Sequence, residues 1–381
     1  MMQETISRPA PTLELDDSAE PFSLHLKLRK RHFTLSAAPL LRKRRPQLLL
    51  GIMWSILILM TLYIFHRERT AASTTLSQIP DSPSTLNSTP KCDSSCNPMP
   101  LPNPDGTLDD RPLVLYVYHE DDISWDNAMF FLKHGLHDGA DFIFIINGRS
   151  AFKSEIPVAN HIMVIQRENT CFDIGAYGEV LRANTSALLY KYKRFILMNS
   201  SVRGPFMPTW SSECWTDAYL SKVTETNKLV GISMNCRGAS DPHVQAMFLA
   251  IDRTGLEVLI DDVISPCFAT FDDRIRAEIN MTTAIIKAGY TVTAFMTAFS
   301  SDPDYTHKCD HKDILHNNSY YEMNIHPYES IFHRANRNIF PHQLKMLTKW
   351  HEKANYSSQP YCGINRRYRL YHQTFDEDEE N

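Results

Sequence analysis

The chain has 381 residues, 43% hydrophobic and 22% charged, with a formal net charge of −5. This is ordinary globular composition; it excludes a fibrous or wholly disordered chain, and no nucleic-acid partner is expected. Residues 1–46 lack apolar periodicity and read as a tail. Residues 48–65, LLLGIMWSILILMTLYIF, are 18 consecutive uncharged, mostly apolar positions. As a helix they reach about 27 Å, enough for a thin bilayer. A cleaved signal peptide is the rival reading, but the preceding segment is long and no small-residue cleavage site closes the run. Nine Lys and Arg precede the span, including Arg42, Lys43, Arg44 and Arg45, and only Arg67 and Arg69 follow closely. The positive side stays cytoplasmic, so the expected topology is single-pass type II, with the bulk of the chain lumenal.

Six N-x-S/T sequons begin at Asn87, Asn184, Asn199, Asn280, Asn317 and Asn355. Asn199 falls at an expected buried strand end, which argues against its use. All eight cysteines follow the span, where disulfides are expected; Cys92 with Cys96 is the expected local pair. Residues 67–110 are rich in Ser, Thr, Pro and Asn and read as an unfolded stem.

From residue 111 the pattern changes. Strands are expected at 113–118, 141–147, 161–166, 194–200, 228–234, 245–251 and 291–296, and helices at 126–136, 174–190, 253–263 and 272–289. Unbroken apolar strands alternating with helices predict an α/β fold: a mostly parallel sheet flanked by helices. The expected organisation is therefore tail 1–46, transmembrane signal-anchor helix 47–66, stem 67–110, catalytic domain 111–358 and solvated tail 359–381.

Common signatures are missing: no G-x-x-x-x-G-K-[ST], no G-x-G-x-x-G after a strand, no H-E-x-x-H and no G-x-S-x-G. A stemmed, lumenal α/β domain without them suggests a Golgi transferase. Five segments carry a more specific resemblance: NTCFDIGAYGEVL, FILMNSSVRGPF, VQAMFLAIDRTGLEVL, AEINMTTAIIKAGYTVTA and HPYESIF. In this order they resemble the rhamnan synthesis protein F-like group of glycosyltransferases, over roughly residues 112–340. The resemblance implies a GT-A-type fold, a nucleotide-sugar donor and transfer of a hexosyl or deoxyhexosyl group to a glycan hydroxyl.

Within it, Asn169 to Gly175 matches the loop that approaches the donor nucleotide. Asp173 stands at the start of a helix, where an N-cap role and a ligand contact are both open. Asn199, Ser200 and Ser201 end a strand where many such enzymes place a metal-binding Asp-x-Asp. Neutral Asn and Ser suit a hard divalent ion poorly, so no metal ligand is assigned and a divalent cation is not expected to be essential. Diphosphate charge then needs cations, for which Arg203, His326, Arg334 and Arg337 are candidates. Glu278, eleven residues before Gly289, resembles the catalytic base of inverting relatives; otherwise it is a solvent-facing helix Glu. Asp241, Asp272 and Asp273 are reserves. His326 and Glu329 are placed near the donor by the resemblance. Asp302-Pro-Asp304 reads as a turn, and the spacing of His307, Cys309, His311 and His316 fits no common zinc finger. The alternative function is a catalytically silent glycan-binding or chaperone module on the same fold.

Overall fold

A computed structural model describes residues 100–236, 242–264, 266–302, 304–308 and 313–363, all within one of the two units into which the chain divides, Leu86–Asn381. The tail at 1–46, the anchor at 47–66, the stem as far as residue 99 and residues 364–381 lie outside the described residues, as do Asp241, Cys92, Cys96, Cys309 and His311. Among the described residues no helix is long and apolar enough to cross a membrane.

The strands are β1 Leu113–His119, β2 Asp141–Asn147, β3 Ile162–Arg167, β4 Arg194–Asn199, β5 Val202–Arg203, β6 Asn227–Gly231, β7 Met234–Asn235, β8 His243–Val244, β9 Phe248–Asp252, β10 Thr291–Ala294 and β11 His333–Arg334. The helices are α1 Asp122–His134, α2 Phe172–Ser186, α3 Trp215–Leu220, α4 Arg253–Leu259, α5 Phe271–Lys287, α6 Thr297–Ser301, α7 Tyr305–Lys308, α8 Pro327–Ser330 and α9 Pro341–Ala354. Seven strands form one sheet in the order β10-β6-β9-β4-β1-β2-β3. All its pairings are parallel except those of β9, which runs antiparallel to both β4 and β6. Two short antiparallel pairs, β5–β11 and β7–β8, complete the strands.

The mixed α/β sheet flanked by helices follows the expectation from the apolar runs. Nearly every residue of β1, β2 and β4 is buried, as strands covered on both faces must be. Aromatic rings fill the core: Phe131 lies within ring contact of Tyr116, Phe142, Phe144, Trp215 and Phe332. Some boundaries differ. Helix α1 starts earlier than expected because Asp121 caps it, accepting the Ile123 and Ser124 N–H groups at 2.9 and 2.8 Å. The apolar stretch 228–234 breaks into β6 and the start of β7, and 245–251 narrows to β9, with the short β8 just before it. Helix α9 was not expected; it buries Leu344, Leu347 and His351, and Phe130 and Phe206 join Leu344 and Leu347 in a second, smaller core.

The fold also reaches past the expected boundary at 358. Cys362 is buried and disulfide-bonded to Cys214, 148 residues earlier. A second bridge joins Cys171 to Cys267, and Cys236 is also disulfide-bonded. Of the sequon asparagines, Asn184, Asn280, Asn317 and Asn355 are exposed, whereas Asn199 is buried.

Candidate active site

The chain runs outward from β1 through β2 to β3, then returns to place β4 on the other side of β1. The crevice beyond the carboxyl ends of such a divided pair is where open α/β sheets bind ligands. Here those ends are His119 and Asn199, in parallel strands paired directly with each other. The turn after β4 is fixed on every side. Ser200 donates its N–H to the Val117 carbonyl at 2.9 Å, Asn127 donates to the Ser200 carbonyl at 2.8 Å, and Ala335 donates to the Ser201 carbonyl at 2.8 Å.

Asn199 joins this turn to a buried charge cluster. Its side-chain oxygen accepts both the N–H and the hydroxyl of Ser201, at 3.1 and 2.5 Å, and its amide nitrogen donates to Asp173 at 2.5 Å. Asp173 accepts from Arg274 Nε at 3.1 Å, and Arg274 Nη1 lies 3.6 Å from Glu278 Oε2. The other Glu278 oxygen accepts the Ala246 N–H at 3.0 Å. Only 11% of the Asp173 and Arg274 side chains and 8% of Glu278 is exposed, so the contacts operate away from bulk water. Burial pushes the Asp173 carboxyl up, but the Arg274 charge and the hydrogen bonds from Arg274 and Asn199 together outweigh it and hold it below the usual range. Burial likewise pushes Arg274 down, and Asp173 and Glu278 more than restore it.

Asp173 is thus not an N-cap. Cys171 occupies that position with a left-handed backbone and no side-chain cap bond, and the Asp173 carboxylate turns to Arg274 and Asn199 instead. Glu278 is not the solvent-facing helix residue of the bland reading. Cys171–Cys267 ties the first turn of α2 to the segment leading into α5, the helix of Arg274 and Glu278. Gly175 permits this approach, since a Cβ there would lie 2.6 Å from Cys171 Cβ.

Asn169 is exposed at the same end of the sheet, its amide nitrogen 3.5 Å from His119 Nδ1. Its loop is held by Arg167, which donates to Asn147 Oδ1 at 2.8 Å and the Thr170 carbonyl at 3.0 Å and pairs with Glu179 at 2.6 Å. Arg334 stands within electrostatic reach of Glu278 and Arg274; burial and the neighbouring Arg337 bring it down to about 10. Among the described residues its guanidinium makes one hydrogen bond, to Asn336 at 3.0 Å, and no ion pair. A partly buried cation so placed gains from an anionic ligand.

Four expected donor contacts point elsewhere. Arg203 donates to Asn127 at 2.8 Å and faces Asp126 at 3.5 Å and Thr348 at 3.4 Å, tying β5 to α1 and α9. Glu329 accepts the Thr297 N–H at 2.8 Å and the Tyr320 hydroxyl at 3.0 Å. His326 caps α8 through the Tyr328 N–H and is exposed. Arg337 pairs with Asp313 at 3.5 Å. Of the reserves, Asp273 pairs with Arg276 and bonds the Thr270 cap, and Asp272 is exposed. Asp302 accepts the Asp304 N–H at 2.9 Å, the turn that its sequence predicts, and Lys308 neutralises it.

At the strand end the oxygen ligands are already engaged. Asn199 has its oxygen occupied twice, and the adjacent carboxylate, Asp173, is already engaged by Arg274. Among the described residues, His137, Cys214 and Cys362 are the group with metal-ligand spacing, but the two sulfurs are bonded to each other. Sequence reasoning missed Arg274. Its signal was the i,i+4 spacing to Glu278 on one helical face.

No family model matches the chain, and no curated relative matches it. Solved structures show partial likeness. A mannosyltransferase of Pyrobaculum calidifontis in complex with GDP-Man and Mn2+ is 13% identical, covering 52% of this chain and 58% of its own, with a TM-score of 0.33. The catalytic domain of Drosophila β1,4-galactosyltransferase 7 in complex with xylobiose is 10% identical, covering 48% of this chain and 64% of its own, with a TM-score of 0.27. The chain thus spans less than two thirds of either, and neither superposition gives a role to a residue of this chain.

Proposed function

We propose that the chain is a glycosyltransferase that moves a sugar from a nucleotide-sugar donor to a glycan hydroxyl, with inversion and without an essential metal. One observation carries this reading: at the carboxyl ends of β1 and β4, the contacts Asn199–Asp173–Arg274–Glu278 link a strand-end turn to a helical carboxylate. In this reading the donor diphosphate lies over the Asn199–Ser201 turn, and Arg334 supplies positive charge that a metal supplies elsewhere. Glu278 is the base. Its Oε1 is fixed by the Ala246 N–H, and its Oε2, 3.6 Å from Arg274 Nη1, takes the acceptor proton as the acceptor oxygen bonds to the anomeric carbon and the bond to the diphosphate breaks. Asn169 is assigned to the donor nucleotide. The five segments quoted above support a kinship with the rhamnan synthesis protein F-like group, an assignment that no family model supports. The run at 48–65 and the exposed sequons support a type II Golgi membrane protein with this domain in the lumen.

Glu278→Gln tests the chemistry. Transfer should fall about 10²–10⁴-fold, the usual contribution of a general base, while a nucleotide-sugar donor still raises the melting temperature. Undiminished turnover in this variant removes Glu278 as base. The second reading, a silent glycan-binding or chaperone module, is favoured by the full set of partners that Glu278 and Asn199 already have. Donor hydrolysis by the purified full chain, screened across nucleotide sugars, separates the two, since a silent module releases no nucleotide.

A further inference from the structure

Beside the charge cluster lies an aromatic pair that the chemistry above does not use. Phe271, the first residue of α5, is 59% exposed, and Phe172, which opens α2, is 36% exposed. Their ring centroids are 6.5 Å apart at 64°. Leaving so much aromatic surface in water is unfavourable. Phe172 also has a φ of 56° and Cys171 a φ of 63°, a left-handed region that bulky side chains rarely adopt. Cys171–Cys267 holds this backbone, and held strain of this kind gathers at ligand sites.

The surroundings of the pair specify a ligand. The Arg274 guanidinium carbon lies 5.6 Å from the Phe271 ring centroid, and the same guanidinium reaches Asp173 and Glu278. Positions 271, 274 and 278 recur on one helical face, so the exposed ring, the cation and the carboxylate stand in a row. An apolar plate bordered by a few charged groups suits a molecule with one apolar face and a rim of hydroxyls, which describes a pyranose ring. We propose that Phe271, with Phe172 at its edge, is a stacking platform for a pyranose unit of the acceptor, and that it sets the reacting hydroxyl toward Glu278. The proposal rests on the transferase reading for the acceptor role and on the aromatic pair for the binding itself.

The test uses the full chain in detergent on an array of immobilised pyranose oligosaccharides covering the common hexoses, pentoses and deoxyhexoses. Wild type, Phe271→Ala and Phe271→Trp are compared, with thermal shift by nucleoside diphosphates measured in parallel. Phe271 is exposed, so truncation should leave the melting temperature nearly unchanged. The expected result is at least a tenfold loss of glycan binding in Phe271→Ala, recovery in Phe271→Trp, and the same nucleotide shift in all three. Equal binding by Phe271→Ala, or binding to no sugar on the array, overturns the platform. A lost nucleotide shift overturns it too, because the ring would then belong to the nucleobase. Phe271-dependent glycan binding by a chain that hydrolyses no donor overturns the acceptor role and the transferase reading together, while leaving a carbohydrate site.

Discussion

The two ends of the sheet each carry a disulfide and buried polar groups, but they use them differently. Where β1 and β4 end, Cys171–Cys267 fastens α2 to the approach of α5, and the buried groups are charged and cross-linked: Asp173, Arg274 and Glu278. Beside the starts of β2 and β3, Cys214–Cys362 borders a cavity of about 590 Å³ lined by Leu136, His137, Pro157, His161 and Ile162. There the buried polar group is His137. Its Nδ1 accepts the Gly139 N–H at 3.1 Å, so its Nε2 keeps the proton and faces the Cys214 sulfur at 3.7 Å. Burial and the nearby His161 and Arg111 bring His137 down to about 3. The cavity end therefore buries an uncharged polar group, with Asp138 on its lining, and the other end buries convergent charge. Volume alone does not locate chemistry; catalysis needs charges held where a reacting bond can meet them.

The largest break of this contrast is Arg274→Met. It leaves two buried carboxylates without their cation, which should cost about 3–5 kcal/mol in urea unfolding as well as transfer activity. His137→Gln, at the other end, exchanges one neutral hydrogen bond for another and should cost about 1 kcal/mol with activity retained. A loss below about 1 kcal/mol in Arg274→Met would mean that the cluster is not coupled as its distances imply.

Next come the two bridges. Replacing either cysteine pair by alanine should cost about 2–4 kcal/mol, since each closes a long loop, of 96 or 148 residues. The functional outcomes should diverge. Loss of Cys171–Cys267 frees Asp173 to move away from Arg274 and should reduce transfer even where the fold persists. Loss of Cys214–Cys362 should lower stability and leave the turnover of folded protein unchanged. Equal loss of turnover in both would erase the functional distinction between the ends.

Much of this contrast could be read before the fold was known, and the unreadable parts have physical reasons. The runs of β1, β2 and β4 announced a sheet covered on both faces, and Asn199-Ser200-Ser201 marked a strand end without a carboxylate pair. The reversal of β9 left no trace, because a short buried strand is equally apolar in either direction. Arg274 was overlooked because an arginine on a helix is ordinarily solvated; burial becomes tolerable through Glu278 on its own helix and Asp173, 101 residues away. Glu329 and His326 were placed by kinship and Arg203 by its charge, and local hydrogen bonds claim all three in this chain. Helix α9 went unnoticed although Pro341 stands in its first turn and Leu344 and Leu347 share a face. Disulfide pairing over such separations is a tertiary fact that spacing does not contain.

The smallest effect is a pH dependence that should separate the ends. His137 ordinarily titrates near 6.5 and falls to about 3 in the fold. Below pH 6.5 the unfolded chain binds a proton that the folded chain refuses, so stability is complete above that value and declines as pH falls toward 3. At pH 5.5 the loss from this group should be about 1.4 kcal/mol. His333 and His351, each brought down to about 4 by burial and by neighbouring His326 and His134, add losses of the same sign. Asp173 behaves differently. Its depressed carboxyl contributes stability that is present above 3.8 and disappears only as pH falls below that through its folded value. Between pH 7.5 and 5.5, then, His137 makes stability pH-dependent, while Asp173 leaves it flat. Urea unfolding at both values should show the pH-linked loss shrinking by about 1.4 kcal/mol in His137→Gln, with the loss from His333 and His351 remaining. If the substitution leaves the pH dependence untouched, His137 is charged in the folded chain, and it is not the neutral ring that its hydrogen bonds describe.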